Sequence, residues 1–570
     1  MCGILVVKSK NITKNLKQKF ISSIKFLKNR GPDETRIIQK NNFLIGFTRL
    51  SINDLKTASQ PYESLCKRYI IVFNGEAVNY KDLADDLKKK KITLQYGHEA
   101  EVIINLFILY GNSCVKFIRG FFSFVIIDTK FNNIFAAVDR FSIKPLYYSE
   151  NYDHSEFVLS SDYSAILKGG LMKKKINFNK VVDYFSMARE FDNKTIISNV
   201  KKLGYSSTLL LTKNNLRISK YWHPFQKNYS LINNRKDLIE KLHYKFLDVI
   251  NYWKIADIKV SLCLSTGLDS QIINAYLNIN KLDFTNFHII ERKKIPENLR
   301  NSNRIKIDAK KIIYLVNRFA KENLNPFAVA HSSSTGLFQL YSTIAKNKFK
   351  LTLNGEGSDE IFGGYLRYNR QLKYVKYNKL SLSDAILKVY KNEIQLLSSV
   401  LSNKNFDLKK NLKKKISSIK LRSSNFENKF LEFDQLTWIP SLIQRHDVIG
   451  MHYGLEVRPP YLDHELVELA NSLPFRYKFN TTNKNKIILN DLIYRKFKVT
   501  INNKKISTPS GFDLILKDKK EIKSFKDAVV GSEISKYFNL QSVVNLIDNP
   551  YKNKIFLWRM YILSKMLNNF

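Results

Sequence analysis

The sequence predicts two domains of different fold class, an α+β domain followed by an α/β domain. A chain of 570 residues is too long for one hydrophobic core. Up to about residue 200, short β-like runs dominate, which predicts stacked antiparallel sheets flanked by helices. From about residue 235 onward, helical patterns alternate with single apolar strands, which predicts a parallel sheet covered by helices. We therefore expect domains at residues 1–205 and 236–570, joined by a polar linker at 206–235.

Apolar runs place the expected elements in order. The strands of the first domain are expected at Ile4–Val7, Phe43–Phe47, Tyr69–Phe73, Phe122–Ile127, Ile134–Val138 and Phe157–Ser160, and its helices at Leu16–Leu27 and Val102–Tyr110. The second domain is expected to have helices at Leu238–Ile250, Ile312–Phe319, Ala385–Leu401 and Glu465–Leu473, and strands at Lys259–Leu264 and Phe349–Leu353. A segment rich in Lys and Ser, residues 402–425, is expected to be a mobile surface connection.

The chain is strongly basic, with 94 Lys and Arg against 50 Asp and Glu and a formal net charge of +44. A polyanion partner is one explanation, because clustered cations release counterions from phosphates. The lysines are spread along the whole chain, however, and no nucleic-acid-binding signature accompanies them. A compositional bias toward lysine explains the charge better, so we expect no specific nucleic-acid partner.

The four cysteines of the chain show no CxxC spacing. This argues against a disulfide framework or a zinc ribbon and favours a reducing compartment. No apolar run reaches the roughly 18 residues that cross a bilayer, and the N-terminus lacks the order of a signal peptide. We therefore expect a cytoplasmic protein without a membrane partner.

Cys2 is the first candidate for chemistry. If Met1 is removed, Cys2 carries both a thiol and a free α-amino group, whose pKa values lie near 8.5 and 8. The amine can then take the thiol proton and return it to a departing ammonia molecule. Alone, a cysteine after the start codon is better explained by chance, so the interpretation depends on the rest of the domain.

Three more features of this domain suit the binding of an amino acid. Arg49 stands at a strand end, where a guanidinium can hold an α-carboxylate in a bidentate way. Asn74 and Gly75 follow an apolar strand, and their N–H groups can form an oxyanion hole. Glu76 can bind an α-ammonium group. Each feature is commonplace by itself, since Asn-Gly pairs also make hairpin turns.

Together with Asn29–Asp33, Gly120–Phe124 (GFFSF) and Asp139–Tyr148 (DRFSIKPLYY), these features resemble the class II glutamine amidotransferase domain. The resemblance implies an N-terminal-nucleophile hydrolase fold that releases ammonia from glutamine. It implies Cys2 as the nucleophile and Asn74 and Gly75 as oxyanion donors. The glutamine-binding residues that it implies are Arg49, Leu50, Ser51, Ile52, Asn53, Asn74, Gly75, Glu76 and Glu99. Glu99 stands where the family usually has Asp.

A second site begins at Ser265–Ser270, which follows an apolar strand and opens a helix. Such a turn presents backbone N–H groups and a helix N-terminus to phosphate oxygens. It lacks the Gly-Lys-Ser/Thr ending of a Walker P-loop. Asp269 would be unfavourable in an anion-binding turn unless a metal ion lay between it and the phosphates.

A further loop, Asn354–Tyr365 (NGEGSDEIFGGY), places three carboxylates among four glycines after a strand. In a packed turn these carboxylates would be costly without cations or hydrogen-bond donors. The end of a parallel strand is where open α/β sheets bind ligands. This loop is close to identical to the asparagine synthetases, and Gly454–Asp463 and Asn485–Leu489 extend that resemblance.

The resemblance to asparagine synthetases implies a synthetase domain of the ATP-pyrophosphatase type with ATP and Mg²⁺ as cofactors. The ATP-binding residues that it implies are Leu264, Ser265, Gly267, Asp269, Ser270, Ile289, Asn354 and Gly355. Asp269 and Asp359 would hold Mg²⁺. Glu356 would support formation of an acyl-adenylate and its attack by ammonia, and Lys486 would lie near the activated carboxyl group.

The resemblance implies that glutamine, aspartate and ATP give asparagine, glutamate, AMP and pyrophosphate. The chain departs from the family at residues 291–308, Asn325 and Val448, which leaves open another acceptor carboxylate, such as a uronic acid of a surface polysaccharide. An inactive scaffold or polyanion-binding protein is an alternative of another class. Retention of Cys2 and Asp359 argues against that alternative. Whether the chain forms a homodimer is left open.

Overall fold

A computed structural model describes residues 2–55, 57–150, 156–213, 215–226, 234–290, 299, 302–501, 511–550 and 553–570. Its N-terminal part contains two six-stranded sheets in which every strand pair is antiparallel. Its C-terminal part is built on a five-stranded sheet in which every pair is parallel. The predicted succession of an α+β and an α/β fold is confirmed.

The two antiparallel sheets form the centre of the first domain. Their strands are β1 (Gly3–Ser9), β2 (Glu34–Lys40), β3 (Phe43–Arg49), β4 (Tyr62–Glu63), β5 (Tyr69–Ala77), β6 (Gly120–Asp128), β7 (Asn133–Val138), β8 (Tyr147–Glu150), β9 (Glu156–Ser160), β10 (Lys201–Lys202), β11 (Ser207–Leu211) and β12 (Leu216–Lys220). The strand orders are β10-β8-β9-β1-β3-β2 and β12-β11-β7-β6-β5-β4.

Alternation along the strands divides the first domain into four layers. Ile4 and Val6 point into the interior between the two sheets, whereas Leu5 and Val7 pack on the outer face of the first sheet. The helices of this domain are α1 (Lys14–Lys25), α2 (Tyr80–Lys89), α3 (Glu99–Tyr110), α4 (Tyr163–Lys168) and α5 (Phe178–Ser186). Helices α1, α4 and α5 cover the first sheet, and α2 and α3 cover the second.

The first half of the segment expected to be a linker belongs to the first domain. Strand β11 pairs with β7, and β12 pairs with β11. Leu209 and Leu211 alternate along β11 and are buried between the two sheets, which is why this stretch is a strand. The linker prediction over 206–235 was therefore wrong for residues 207–220. Residues 227–233 lie outside the described residues.

The parallel sheet organises the second domain. Its strands are β13 (Val260–Cys263), β14 (Phe284–Ile290), β15 (Asn303–Lys306), β16 (Leu351–Leu353) and β17 (Glu456–Arg458), in the order β15-β14-β13-β16-β17. From β13 the chain continues to β14 on one side, and it later returns to β16 on the other side. A crevice therefore opens at the carboxyl ends of β13 and β16.

Helices cover both faces of this sheet. They are α6 (Arg235–Trp253), α7 (Leu268–Ile279), α8 (Ala309–Glu322), α9 (Ser334–Lys346), α10 (Ser358–Phe362), α11 (Leu366–Lys376), α12 (Leu382–Val389), α13 (Lys391–Val400), α14 (Leu408–Ser418), α15 (Phe426–Thr437), α16 (Ile439–His452), α17 (His464–Ser472), α18 (Ile487–Phe497), α19 (Phe512–Ile515), α20 (Lys519–Gly531), α21 (Leu540–Asp548) and α22 (Lys554–Leu567). Helices α6, α7, α17 and α18 pack in one apolar cluster with β13 and β16. Helices α8 and α9 pack in another with β14 and β15.

Two expectations for the second domain were wrong. The single helix expected over Ala385–Leu401 is two helices, α12 and α13, separated at Tyr390. The mobile connection expected over 402–425 contains α14, whose Leu408, Leu412 and Ile416 are buried. These three side chains recur every fourth residue, so they form one helical face that the surrounding lysines obscure in the composition. Within the described part of the chain, no helix is long and apolar enough to cross a membrane.

Candidate active sites

Cys2 lies at the start of β1, enclosed by the first domain. Its side chain and backbone together are 8% exposed, and burial raises the pKa of the thiol. The Cys2 backbone N–H donates to Oδ1 of Asn74 at 2.8 Å. Gly3 N–H donates to Oγ1 of Thr48, which fixes the start of the strand. The structure thus brings the predicted nucleophile and the predicted oxyanion residue together.

The sequence indicated that Asn74 and Gly75 follow a strand. In the structure both residues lie inside β5. Gly75 has a φ of +132°, and a Cβ atom there would come within 2.1 Å of the Phe121 carbonyl oxygen. Only glycine therefore fits this position. Asn74 Nδ2 donates to Ser123 Oγ at 3.3 Å, a long bond. Because an amide nitrogen carries two hydrogens, one remains for a substrate oxygen.

The segment 49–55 forms the floor of this site. Arg49 donates from Nη2 to the Asp54 carbonyl at 2.7 Å, so its guanidinium also holds the segment in place. Ser51 N–H donates to Asp33 at 2.7 Å. Leu50 and Ile52 pack against Met451 of the second domain. The predicted glutamine-binding segment is therefore part of the interface between the two domains.

Glu76 and Glu99 form the acidic side of the site. Glu76 is buried and accepts hydrogen bonds from Asn53 Nδ2 and, at 3.2 Å, from Arg458 Nη2. Burial raises the pKa of Glu76 to about 7, with Glu456 adding to the rise and Arg458 opposing it. Burial and the nearby Glu76 raise the pKa of Glu99 well above its ordinary value. Two carboxylates that disfavour each other's charge provide a place for an ammonium group.

The second site begins where β13 runs into α7. Leu264 N–H donates to the Phe287 carbonyl at 2.9 Å, which extends the strand pairing. Ser265 Oγ receives the Gly267 N–H at 3.1 Å and lies 2.9 Å from Ser270 Oγ. These bonds close a compact turn in front of the α7 N-terminus, the geometry that phosphate-binding turns use. Ile289 lies near the end of the neighbouring strand β14 and is partly buried.

Lys486 joins the two turns of the second site. Its Nζ lies 2.5 Å from Asp269 Oδ1 and 2.5 Å from Asp359 Oδ1. A Cβ atom at Gly364 would come within 1.9 Å of Asp359 Oδ1 and 2.3 Å of Lys486 Cε. A Cβ atom at Gly355 would come within 2.8 Å of Asp269 Cβ. The glycines of the loop are therefore what allows the two carboxylates and the lysine to meet.

Glu356 lies beside this centre in a polar network. Its Oε2 accepts from Arg445 Nη2 at 3.0 Å and lies 2.5 Å from His446 Nε2. On the other side of the imidazole, His446 Nδ1 lies 3.1 Å from Asn354 Nδ2 and 2.5 Å from the Tyr341 hydroxyl. Burial lowers the pKa of His446. The network fixes the orientation of the Glu356 carboxylate.

The side chains of this centre supply only some of the oxygen ligands that Mg²⁺ needs, and a nucleotide would have to supply others. Within the described part of the chain, no group of three or more His, Cys, Asp or Glu side chains could hold a metal ion. Asp269 and Asp359 nevertheless offer two carboxylates that already share one cation, Lys486. Mg²⁺ is usually bound by one or two carboxylates together with water and substrate phosphates. The two aspartates therefore suit a metal ion that arrives with a nucleotide.

The sequence did not predict a role for β17, which touches both sites. Arg458 Nη2 donates to Glu76 of the first site, and the Arg458 carbonyl accepts the Asn354 N–H of the second at 3.0 Å. Glu456 accepts from Arg458 Nε at 2.5 Å, and Arg458 is the main cause that lowers the pKa of Glu456 to about 2 against the effect of burial. The motif Gly454–Asp463, which contains β17, was the sequence feature that could have indicated this role.

Two of the departures that seemed to concern the acceptor, Asn325 and Val448, lie at the contact between the domains. Asn325 Nδ2 donates to Gln444 Oε1 at 2.6 Å and to the Tyr147 hydroxyl at 3.3 Å, in the contact between the domains. Val448 lines an interface cavity with Arg30. Residues 291–298, 300 and 301 lie outside the described residues. Arg445, whose reach the sequence could not show, does contact Glu356.

Comparison with known proteins gives two family matches along the chain. A glutamine amidotransferase domain model matches residues 1–222, and the asparagine synthase model matches residues 247–568. Asparagine synthetase [glutamine-hydrolyzing] 3 of Bacillus subtilis (strain 168) is 25% identical over 523 residues, which cover 82% of each chain. Putative asparagine synthetase [glutamine-hydrolyzing] 2 of Methanocaldococcus jannaschii is 30% identical over 404 residues, which cover 65% of this chain and 76% of the relative.

The similarity to solved structures is low. Glutamine phosphoribosylpyrophosphate amidotransferase from B. subtilis aligns with 52% of this chain and 70% of its own, at 13% identity and a TM-score of 0.30, which is too low to bear on the fold. The asparagine synthase match, by contrast, covers more than half of the chain and contains both turns of the second site. The chain therefore belongs to the asparagine synthase family, as an ATP-dependent ligase with a glutamine amidotransferase domain at its N-terminus.

Proposed function

We propose that this enzyme is a glutamine-dependent asparagine synthetase. In this proposal it releases ammonia from glutamine at Cys2, activates aspartate with ATP as an acyl-adenylate, and forms asparagine, AMP and pyrophosphate. The observation that carries the proposal is the position of β17, whose Arg458 bonds to Glu76 through its side chain and to Asn354 through its carbonyl. One short strand thus connects a thiol site with a site for a nucleotide.

At the first site, the Cys2 thiol would attack the amide carbon of glutamine. The α-amine of Cys2, freed by removal of Met1, would take the thiol proton and deliver it to the departing ammonia. Asn74 Oδ1, which accepts from Cys2 N, would hold that amine in place. Water would then hydrolyse the thioester to glutamate and restore the thiol. Gly75 and the second hydrogen of Asn74 Nδ2 would stabilise the oxyanion.

Glutamine binding would use the remaining residues of this site. The α-ammonium group would lie at Glu76 and Glu99, where it relieves the repulsion between their charges. The α-carboxylate would bind Arg49, which exchanges its bonds to backbone carbonyls for charge-assisted ones.

At the second site, the chain's own residues would hold phosphates and compensate their charge. The turn Ser265–Ser270 would cradle pyrophosphate oxygens at the N-terminus of α7. Asp269 and Asp359 would hold Mg²⁺, which supplies positive charge to the leaving pyrophosphate. Lys486 would add its own charge beside them. Glu356, fixed by Arg445 and His446, would receive the proton that ammonia loses when it attacks.

Ammonia would pass between the domains without entering bulk water. Cys2, Glu76, Glu456 and Arg458 are all buried, and Glu456 and Arg458 belong to the synthetase domain. Ammonia released into water at neutral pH would mostly become ammonium, which cannot act as a nucleophile. An enclosed route along β17 is therefore part of the proposal.

The test is product analysis with the purified chain, aspartate, ATP and Mg²⁺, with glutamine or ammonium as the nitrogen source. We expect asparagine and AMP in equal amounts from either source. If AMP and amide formed with glucuronate but not with aspartate, the acceptor in this proposal would be wrong, whereas the ligase chemistry would stand. Absence of ATP-dependent amide formation on any carboxylate would contradict the proposal.

A further inference from the structure

A cavity of about 570 Å³ opens between the two domains, and we call it the basic cavity. Its first wall comes from residues 190–193, 204, 205, 220, 222 and 223 of the first domain, and its second wall from residues 418–422, 436 and 440 of the second. None of the described residues that we assign to the two active sites lines it. Small-molecule sites usually have volumes of about 300–1,000 Å³, and domain interfaces are a common place for them. The basic cavity therefore has the size and the position of a further ligand site.

Both walls of the basic cavity present apolar side chains, several of them aromatic. The larger apolar residues that line it are Phe191, Tyr205, Trp222, Ile419, Leu421 and Leu436. Trp222, Ile419 and Leu421 are only half-buried in the fold itself, so part of the apolar surface of each stays uncovered. Aromatic side chains stack favourably on planar rings. The walls therefore suit a ligand that contains a planar ring.

Three cations line the same cavity, one from the first domain and two from the second: Lys220, Lys420 and Arg422. Within the described part of the chain, none of the three forms an ion pair with a carboxylate. Lys220 Nζ instead donates to the Tyr205 carbonyl oxygen and lies 3.2 Å from the centre of the Tyr205 ring. Burial, followed by the charges of Arg422 and Lys220, lowers the pKa of His223 to about 4. Cations of both domains therefore act on the same neutral histidine in the cavity wall.

The carboxylates at the basic cavity already have other partners. Glu190 and Asp192 line it, and each pairs with a lysine outside the lining, at 3.0 and 2.7 Å. Behind the wall, Glu432 accepts the backbone N–H groups of Arg422 and Ser423 at 2.5 and 2.8 Å, which holds the segment that carries two of the cations. A phosphate group offers three strong acceptor oxygens, one for each cation, whereas a carboxylate offers only two. The charges of the cavity therefore favour a phosphate group.

We propose that the basic cavity binds a nucleoside monophosphate, with the phosphate group at Lys220, Lys420 and Arg422 and the planar base against the apolar walls. The size of the cavity, its flat apolar surface and its three cations together match this ligand. The site is separate from the turn Ser265–Ser270, so the ligand is an effector and not a substrate. It contacts both domains at once and thereby fastens the segment 418–422 to the first domain.

The basic cavity adjoins the helix that holds the reacting carboxylate of the second site. Glu190, which lines the cavity, accepts a hydrogen bond from Gln444 of α16. The next residue of this helix, Arg445, donates to Glu356 at 3.0 Å. A ligand in the cavity therefore lies two side-chain contacts and one peptide bond away from Glu356, close enough to act on it without touching the substrates.

The first test measures binding of uridine 5′-monophosphate to the full chain by equilibrium dialysis. Uridine, which lacks the phosphate group, and ribose 5-phosphate, which lacks the base, are the matched ligands. We expect uridine 5′-monophosphate to bind at one site per chain and at least about tenfold more tightly than either, since it alone uses the cations and the apolar walls together. Equal binding of ribose 5-phosphate would show a general attraction of the basic chain for phosphate and overturn the inference. Equal binding of uridine would overturn it as well.

The second test locates the bound nucleotide with variants. We expect Arg422→Met and Lys420→Met each to weaken binding of uridine 5′-monophosphate about ten- to hundredfold, because each removes a charge-assisted contact. Arg370→Met is the matched control, since Arg370 is an exposed arginine of α11 that does not line the cavity. Lys486→Gln, at the nucleotide site, is expected to leave this binding unchanged.

A thermal scan checks the same assignment, because a ligand that binds the folded state raises the thermal midpoint. Uridine 5′-monophosphate is expected to raise the midpoint of the unmodified chain and of Arg370→Met, but not that of Arg422→Met, whose midpoint without ligand stays the same. Binding that survives in Arg422→Met and is lost in Lys486→Gln would place the ligand at the nucleotide site and overturn the inference. Each of these measurements is independent of amide formation, so failure of the inference leaves the proposed function untouched.

Discussion

The two active sites differ in how their charges are held before any ligand binds. The thiol site is built from strands β1, β3 and β5, and its key contact, Cys2 N to Asn74 Oδ1, joins the residue before β1 of the first sheet to β5 of the second. The nucleotide site is built from residues as distant in sequence as Asp269 and Lys486, which meet only through an ion pair. The nucleophile of the first site is therefore placed by the strands, whereas the centre of the second site is held together by an ion pair between distant segments.

This difference indicates what each site needs to become active. In the proposed function, the thiol site would need only removal of Met1 and the arrival of glutamine. At the nucleotide site, Lys486 already neutralises the two aspartates that a metal ion would use, so the lysine and the metal ion share the same carboxylates. We expect changes at the nucleotide site to affect both nitrogen sources, and changes at the thiol site to affect only one.

The largest effect is expected from Asp359→Asn. Loss of this carboxylate leaves the leaving pyrophosphate without its charge compensation, a defect of several kcal/mol in the transition state. We expect amide formation to fall at least about a thousandfold with glutamine and with ammonium alike. Glutaminase activity, measured as glutamate release, is expected to remain. Normal ATP-dependent amidation by this variant would remove the role assigned to Asp359.

Cys2→Ala is expected to separate the two nitrogen sources. The variant lacks the nucleophile, so amide formation from glutamine is expected to be lost, whereas formation from ammonium stays within about twofold. Cys66→Ala is the matched control, because Cys66 is an exposed free cysteine. A folded Cys2→Ala variant that had lost both activities would contradict the division of labour between the domains.

Lys486→Gln tests the charge balance of the nucleotide site. Breaking a buried pair by removing one partner costs about 3–5 kcal/mol, because the remaining charges are left uncompensated. We expect a lower thermal midpoint and recovery of part of the loss with millimolar Mg²⁺. Lys496→Gln is the matched control, since its pair with Glu240 is more exposed and is screened by solvent. An Mg²⁺-insensitive Lys486→Gln variant would contradict a metal site at these aspartates.

The smallest effect concerns pH and belongs to the thiol site. Burial raises the pKa of Glu76 to about 7, so the carboxylate that would bind the ammonium group of glutamine becomes neutral as the pH falls below that value. We expect kcat/KM for glutamine to fall by up to about tenfold per pH unit below 7. Synthesis from ammonium, compared at a constant concentration of free ammonia, has no such requirement. A glutamine profile without a transition near this pH would remove Glu76 from the ammonium site.

Local patterns in the sequence sufficed for much of the fold and for the individual motifs. The periodicity of apolar residues predicted β1, β3 and α3, and the motifs around Cys2 and Asp359 indicated two candidate active sites. Contacts between segments far apart could not be predicted, because no local pattern records which charges meet. Arg458 with Glu76, separated by 382 positions, is one such contact. The helix α14 was missed because its lysines dominate the composition and hide three buried apolar residues.

In the proposed function, one chain passes nitrogen from glutamine to aspartate with the use of ATP. The most direct measurement supplies glutamine labelled with nitrogen-15 in its amide group, together with aspartate, ATP, Mg²⁺ and an excess of unlabelled ammonium. We expect asparagine whose amide nitrogen carries mostly the label, because ammonia would travel along the buried contact at β17. Asparagine with the isotope ratio of the bulk ammonium, or no asparagine at all, would contradict it.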